Sequence, residues 1–256
     1  MFGAEGATNL LPRMHASNKA EPPDGPGLDL GAGFHAAAVR GLWSGSLGYT
    51  VRCVPTRRTV MAVVDEGRLF GKWRVGHRRN AAAEWRWLHL LPLLGIRVPE
   101  PVAWLGSGRR SLLVTAAAAG RACDVWAVEA ARDGWLAQWV QYAVRHVAPV
   151  VRQLHQRGLC HRDLYWNHVF AVDPRGNEAP TLIDVERVFA PRLRHRRWWI
   201  KDLAGLWSSV PVPLPERAAL RFLRAYGGGT LRGVGGWLPA IRAKAARIRS
   251  HAPRFG

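Results

Sequence analysis

Cysteine is nearly absent from this sequence. The three present, Cys53, Cys123 and Cys160, are far apart, odd in number and form no CxxC pair. That excludes a disulfide framework or a zinc knuckle, and it predicts free thiols in a reducing compartment. No apolar run reaches the roughly 18 residues that a membrane span requires, so no transmembrane segment is expected. The chain does not open on a charged segment followed by an apolar one, so no secretory signal is expected either. No repeat period appears, which excludes a solenoid. Acidic residues are few: 18 Asp and Glu face 37 Lys and Arg, for a formal net charge of +19. Such a field attracts polyanions, whether nucleic acid, an anionic membrane surface or phosphorylated substrates. Part of it reflects a general drift toward Arg, Ala, Gly and Trp. Within that drift only four lysines remain, Lys19, Lys72, Lys201 and Lys244, and each marks a place where a compact ammonium is preferred to a guanidinium.

What is present is a globular composition, 48% hydrophobic over 256 residues, enough for one large domain or two lobes. Residues 1–33 are rich in Gly, Ala and Pro without a steady period and are expected to be a flexible tail. From residue 49 "YTVRCV", "TVMAVV" and "RLFGKW" alternate as strands, separated by the turns "PTRR" and "DEG". "NAAAEWRWLHLL" follows as a helix, with Asn80 as its N-cap, Trp85, Leu88 and Leu91 on one face and Pro92 at its end. "VPEPVAWLG" and "SLLVT" make another hairpin. The chain then turns helical: "GWLAQWVQYAVRHVAPVVRQLHQRG" is one helix or two, with Pro149 as the suspect point and Gly158 as the stop, and three further helices begin near 198, 215 and 237. The expected outline is α+β, with an N-lobe over 34–115 and a larger helical C-lobe over 116–256.

The long helix leads into "HRDLYWNHVF", residues 161–170. His-Arg-Asp alone is a weak signal in an Arg-rich chain. However, a second aspartate, Asp184, closes the hydrophobic run "TLID" 21 residues after Asp163. Two carboxylates beside short strands suit phosphoryl transfer: one accepts the hydroxyl proton of the acceptor and the other holds Mg²⁺ against nucleotide phosphates.

"HRDLYWNH", then "LIDVERV", then "KDLAGL" resembles the lipopolysaccharide core kinases of the Kdo/WaaP type, bacterial members of the protein-kinase-like superfamily. The resemblance runs from about residue 50 to about 250. It implies a two-lobed protein-kinase-like fold with a small antiparallel-sheet N-lobe carrying one helix and a larger, mainly helical C-lobe. It implies ATP and Mg²⁺ as cofactors and Asp163 as the catalytic aspartate, with His161 and Arg162 in the positions before it, where the histidine packs and orients the loop. Protein kinases place a metal-binding Asn five residues after that aspartate. Here His168 stands there, as in the lipopolysaccharide kinases, either as a metal or phosphate contact or as a packed histidine bonding the loop backbone. Asp184 matches the metal-binding aspartate, although "DVE" replaces Asp-Phe-Gly. Only 17 residues separate Asp184 from Asp202, and no Ala-Pro-Glu follows, so a platform for a protein substrate is missing. Asp202 matches the helix-start aspartate that bonds the loop backbone; a simple N-cap is the plainer alternative.

The resemblance further implies that Lys72, on the third strand, contacts the α- and β-phosphates and is held by Glu84, twelve residues later on the helix. The residue before Lys72 is Gly71, not Ala or Val. No Gly-rich loop joins the first two strands; Arg57 or Arg58 in the "PTRR" turn would supply charge instead, with "GSLG" at 45–48 as another phosphate-loop candidate. Thr115 and Ala117 would bond the adenine edge through their backbone. The expected partners are ATP and a lipopolysaccharide core or other anionic glycolipid acceptor, at a cytoplasmic site with peripheral contact to the inner membrane. Trp198 and Trp199 beside "RHRR", and the helix carrying Leu238, Ile241, Ala245 and Ile248 among Arg242, Lys244, Arg247 and Arg249, are the candidate lipid-facing groups, or else ordinary packing. Two other readings stay open: a kinase of another small molecule, aminoglycoside-type, or of a protein, and a non-catalytic basic binder. No nucleic-acid motif supports a nucleic-acid partner.

Overall fold

A computed structural model describes residues 28–30, 36–65, 67–76, 78–107 and 109–251. Apart from Leu28–Leu30, the tail expected over residues 1–33 lies outside the described residues. The chain divides into two compact units, one ending at Ala118 and the other resuming at Ala119. Among the described residues no helix is long and apolar enough to cross a membrane.

The first unit is a six-stranded antiparallel sheet in the order β1-β5-β6-β4-β3-β2. Its elements are β1 (Leu28–Leu30), α1 (Ala36–Ser44), β2 (Tyr49–Val54), β3 (Arg57–Val64), β4 (Gly67–Val75), α2 (Arg78–Leu93), β5 (Pro101–Ser107) and β6 (Arg110–Ala116). Strand alternation decides what each face carries. Val60 and Ala62 of β3, Leu69 of β4, Leu112 and Val114 of β6 and Ala103 of β5 form one core, closed by Val39 and Leu42 of α1. Two expectations are corrected here. Among the described residues the unit has two helices rather than one; the nine residues of α1 commit only Val39 and Leu42 to the core, too few to show a period. α2 starts at Arg78, which puts Asn80 inside the helix rather than at its cap. Pro92 does sit at the helix end, one residue before Leu93.

Side chains of the neighbouring strands explain the glycine before Lys72. A Cβ on Gly71 would lie 2.9 Å from Val60 Cγ2, 3.1 Å from Leu112 Cδ1 and 3.5 Å from Leu42 Cδ2. Val60 and Leu112 thus occupy the space that a larger residue at 71 would take, with Leu42 of α1 in ordinary contact behind them.

The second unit holds a small sheet, β7 (Arg121–Ala122), β8 (Val169–Ala171) and β9 (Thr181–Leu182), and the helices α3 (Cys123–Arg132), α4 (Leu136–Tyr142), α5 (Ala148–Gln156), α6 (His195–Ser208), α7 (Glu216–Tyr226) and α8 (Leu238–Ser250). The long helical run is two helices joined by a π-turn at Ala143–Val147, where Ala148 N–H reaches back five residues to the Ala143 carbonyl. Pro149 lacks an N–H, and its ring crowds the preceding turn, which favours such a widening. Gly158, at φ +73°, then ends the run in the left-handed region.

The lipid-facing reading of α8 is corrected. Leu238, Ile241 and Ala245 are buried, because α8 lays that side against α6. Trp199 stacks against Trp237 and His155, and Trp198 meets Phe189 edge-on at 4.9 Å. Ile248, at the far end of the stripe, is half-buried, so most of the apolar side of α8 is spent on packing within the unit. Arg242 is itself paired to Glu216 at 2.7 Å.

Candidate active site

In the first unit, Lys72 stands at the middle of β4, opposite Thr59 and Leu113. Lys72 and Arg74 are two residues apart and share the face of β4 opposite the one that carries Leu69 and Gly71. The α2 stripe Ala81, Trp85, Leu88 and Leu91 is buried, and Glu84 lies within it, 1% exposed. A carboxylate placed there needs a cation. Lys72 Nζ donates to Glu84 Oε1, and Arg74 Nη2 lies 3.8 Å from Oε2. The pair expected from sequence is therefore joined, with Arg74 as a second cation that sequence reasoning missed.

The other expectations on this unit fare differently. Arg57 and Arg58 are not in a turn: the turn is Pro55–Thr56 alone, and both arginines belong to β3. As strand neighbours they point to opposite faces, and Arg58 lies over the Trp73 ring at 6.0 Å. The "GSLG" segment links α1 to β2 rather than two strands. Its Gly45 and Leu47 amides bond the Leu42 and Gly41 carbonyls, which makes it a helix end and not an open phosphate cradle. Thr115 is buried in β6, laddered between β4 and β5. The Ala117 amide donates to the Arg68 carbonyl at 2.8 Å, so it does not serve as a free donor to an adenine edge.

In the second unit the loop after α5 is held from beneath by α6. Asp202 is fully buried and accepts from His161 N–H at 2.7 Å and Arg162 N–H at 2.8 Å. Three residues on, a Cβ at Gly205 would come within 2.3 Å of the Leu164 carbonyl. Next to the helix end, Ser209 Oγ accepts from Trp166 N–H at 3.0 Å. One helix face at positions 202, 205 and 209 thus supports the loop backbone. Asp202 lies in mid-helix, not at a helix start as expected, because α6 begins seven residues earlier, at His195. His155 of α5 lies 3.2 Å from the same carboxylate through Nε2 and 2.9 Å from Tyr226 Oη through Nδ1. Because the ionised carboxylate only accepts, Nε2–H donates to it and Nδ1 accepts from the tyrosine. Burial alone would raise the pKa of Asp202; the hydrogen bonds it accepts from the His155 ring and the His161 amide outweigh this and hold it below the ordinary carboxylate range.

His161 is completely buried, and burial pushes its imidazole below the usual range, which keeps it neutral. Its Nε2 faces the Ile183 carbonyl at 3.2 Å, tying the loop to the segment before Asp184. Arg162 adopts φ +71° and lies over the rings of Phe189 (5.3 Å) and Trp198 (5.6 Å). His168 Nδ1 donates to the Asp163 carbonyl at 2.7 Å, and its Nε2 lies 3.8 Å from Asp184 Oδ2. The histidine therefore bonds the loop backbone and also faces the second carboxylate. Asp184 sits in the left-handed region at φ +55° and opens a short 3₁₀ turn, Val185–Arg187. That turn returns Arg187 to Asp163, whose two oxygens accept from Nη1 at 2.9 and 3.0 Å. Nothing in the sequence singles out this arginine among so many.

Asp163, Asp184 and His168 are thus brought into one cluster with a neutral histidine behind them. The sequence model of the Lipopolysaccharide kinase (Kdo/WaaP) family matches residues 56–226 of this chain, which span Lys72, Glu84 and the whole of this cluster. The chain belongs to that family. Relatives named lipopolysaccharide core heptose(I) kinase WaaP include one from Escherichia coli K12, 26% identical over 82% of this chain and 90% of its own length. Another, from Pseudomonas aeruginosa, is 32% identical over 44% of this chain and 46% of its own. Among solved structures, a WaaP in complex with acyl carrier protein superposes with a TM-score of 0.68 at 27% identity, covering 87% of this chain and 99% of that one. An aminoglycoside-3'-phosphotransferase of type VIII matches with a TM-score of 0.57 at 22% identity, covering 84% and 100%, a likeness of fold alone. The expected protein-kinase-like α+β fold is thereby shown for this Kdo/WaaP family member.

Proposed function

We propose that this protein is an ATP-dependent kinase that transfers the γ-phosphoryl group to a sugar hydroxyl of the lipopolysaccharide inner core, with heptose(I) as the acceptor sugar. The observation that carries this is the Asp163 loop, seated by His161 and Asp202 beside Asp184, in a Kdo/WaaP-family chain whose named relatives are heptose(I) kinases. Asp163 orients the acceptor hydroxyl and takes its proton as the oxygen attacks phosphorus. Lys72, fixed by Glu84, contacts the nucleotide phosphates. The carboxylate of Asp184 is a hard oxygen donor that suits Mg²⁺, whereas the His168 nitrogen suits that ion less, being already committed at Nδ1 to the loop. Asp184 would hold the ion, which supplies charge neutralisation on the phosphates. The net charge of +19 favours an anionic acceptor.

The solved WaaP in complex with acyl carrier protein extends the proposal to a partner of that kind. The test of function is radiolabel transfer. Purified protein with labelled ATP and Mg²⁺ is expected to label a heptose-bearing core acceptor, and Asp163→Ala to abolish labelling. Equal labelling by Asp163→Ala would sink the mechanism.

A further inference from the structure

We propose that Arg187 is the positioning residue of the Asp163 carboxylate, and this rests on the kinase reading above. Three observations converge on it. First, a single nitrogen, Nη1, bonds both carboxylate oxygens at nearly equal distance, which turns the open end of the group toward the guanidinium. A carboxylate has about four lone-pair sites, so this leaves one on each oxygen for an incoming hydroxyl. Second, main-chain pairing sets the reach. Cys160 N–H donates to the Phe189 carbonyl at 2.9 Å and Phe189 N–H to the Cys160 carbonyl at 3.1 Å. The two strips that carry Asp163 and Arg187 therefore lie side by side. Buried Val185 and Val188 pin the turn on either side of Arg187. Third, the remaining contacts of Asp163 come from behind: His168 holds its carbonyl, not its side chain. Among the described residues, the side-chain hydrogen bonds to the reacting oxygens come from Arg187.

The consequence is kinetic. An Asp side chain released from its clamp samples rotamers that do not face the acceptor, and loss of a near-attack geometry slows the chemical step without changing what binds. The same three-residue turn begins at Asp184, so one piece of backbone aims both the second carboxylate and the clamp on the first. The arginine is 48% exposed and Asp163 19%. An exposed ion pair stabilises the fold little, so the effect belongs to the reaction rather than to folding.

The test compares the full-length wild type with Arg187→Ala, Arg187→Lys and Asp163→Asn, singly and with Arg187→Ala combined with Asp163→Asn. In the phosphotransfer assay Arg187→Ala is expected to lower kcat about 10–100-fold, with the KM values for ATP and acceptor within about twofold of the wild type. Arg187→Lys retains intermediate activity, and millimolar guanidinium restores part of the loss in Arg187→Ala but none in Asp163→Asn. Adding Arg187→Ala to Asp163→Asn costs nothing further, because the two act as a unit. An unchanged kcat in Arg187→Ala, a loss that appears only in KM, or a full additional loss in the Asp163→Asn background overturns the proposal. A crystal structure of Arg187→Ala reads the clamp independently of any acceptor. It is expected to show the Asp163 carboxylate in more than one rotamer, and an unmoved carboxylate overturns the proposal even if the acceptor assignment holds. A wild type that phosphorylates no core acceptor counts against the functional reading, and the crystal structure still decides the clamp.

Discussion

Replacing Asp202 by alanine should be one of the most damaging single changes outside the reacting groups. In the wild type its two oxygens receive three donors: the amides of His161 and Arg162 and the ring of His155. All sit in a region where Asp202 is 0% and His155 2% exposed, so water does not replace a lost acceptor without reorganisation. Each stranded donor costs about 1–3 kcal/mol, and partial relaxation brings the sum to about 3–6 kcal/mol, a large share of a typical folding stability of ~5–15 kcal/mol. For a chain of this size the melting point should fall by about 10–20 °C. Asp202→Asn should cost less. Its oxygen can serve His161 and His155, while its amide then faces the Arg162 N–H, donor against donor. The pH dependence separates charge from shape. The folded-state pKa of Asp202 is depressed, so its contribution is fully present above the unfolded value of about 3.9 and is lost as pH falls through the lower folded value. That acid window should vanish in Asp202→Asn. Unfolding can be followed by near-ultraviolet circular dichroism, since Trp199 stacks on His155 at 5.8 Å and reports the network directly. A loss below about 1 kcal/mol, or an acid limb unchanged in Asp202→Asn, would refute this reasoning.

Other consequences are open to direct measurement. Lys72→Ala leaves the Glu84 carboxylate buried beside Arg74 alone, and should cost about 3–5 kcal/mol by denaturant unfolding while removing the Mg-nucleotide-dependent rise in melting temperature. Gly71→Ala should destabilise the first unit by about 1–3 kcal/mol through overpacking against Val60 and Leu112; trimming Leu112 should recover little, because Val60 remains the nearer contact. Burial depresses the imidazole of His161, so stability from that group is complete above the unfolded pKa of about 6.5 and declines as pH falls below it. His161→Gln should flatten that part of the pH–stability curve. Gly205→Ala drives a methyl into the Leu164 carbonyl and should disturb the loop enough to lower kcat along with the melting temperature.

Much of this could be read from the chain because local patterns and chemistry agree. Strand alternation marked β2, β3 and β4, and the spacing of Trp85, Leu88 and Leu91 marked α2. Lys72 and Glu84 could be paired on paper because a strand followed by a helix brings such positions together. What escaped has physical reasons. β1 pairs only through the distant β5, and α1 commits two side chains to a core formed from elsewhere, so neither leaves a local signature. Only Pro55–Thr56 of "PTRR" form the turn, because arginine is as acceptable at the exposed start of a strand as in a turn. In α8 a basic amphipathic pattern looks the same whether its apolar side meets lipid or another helix; only the packing on α6 decides. His155 and Arg187 are the instructive omissions. Both act through residues far away in sequence, Asp202 and Asp163, and each is an ordinary member of its local pattern.

The most direct test of the account is the identity of the phosphorylated product. The protein, ATP and Mg²⁺ would be incubated in parallel with a heptose-bearing lipopolysaccharide core acceptor, an aminoglycoside and a generic protein substrate, and each mixture examined by phosphorus-31 NMR and mass spectrometry. The account predicts a new phosphomonoester on the core heptose alone, absent with Asp163→Ala. A phosphomonoester on the aminoglycoside or the protein with none on the core sugar would contradict it.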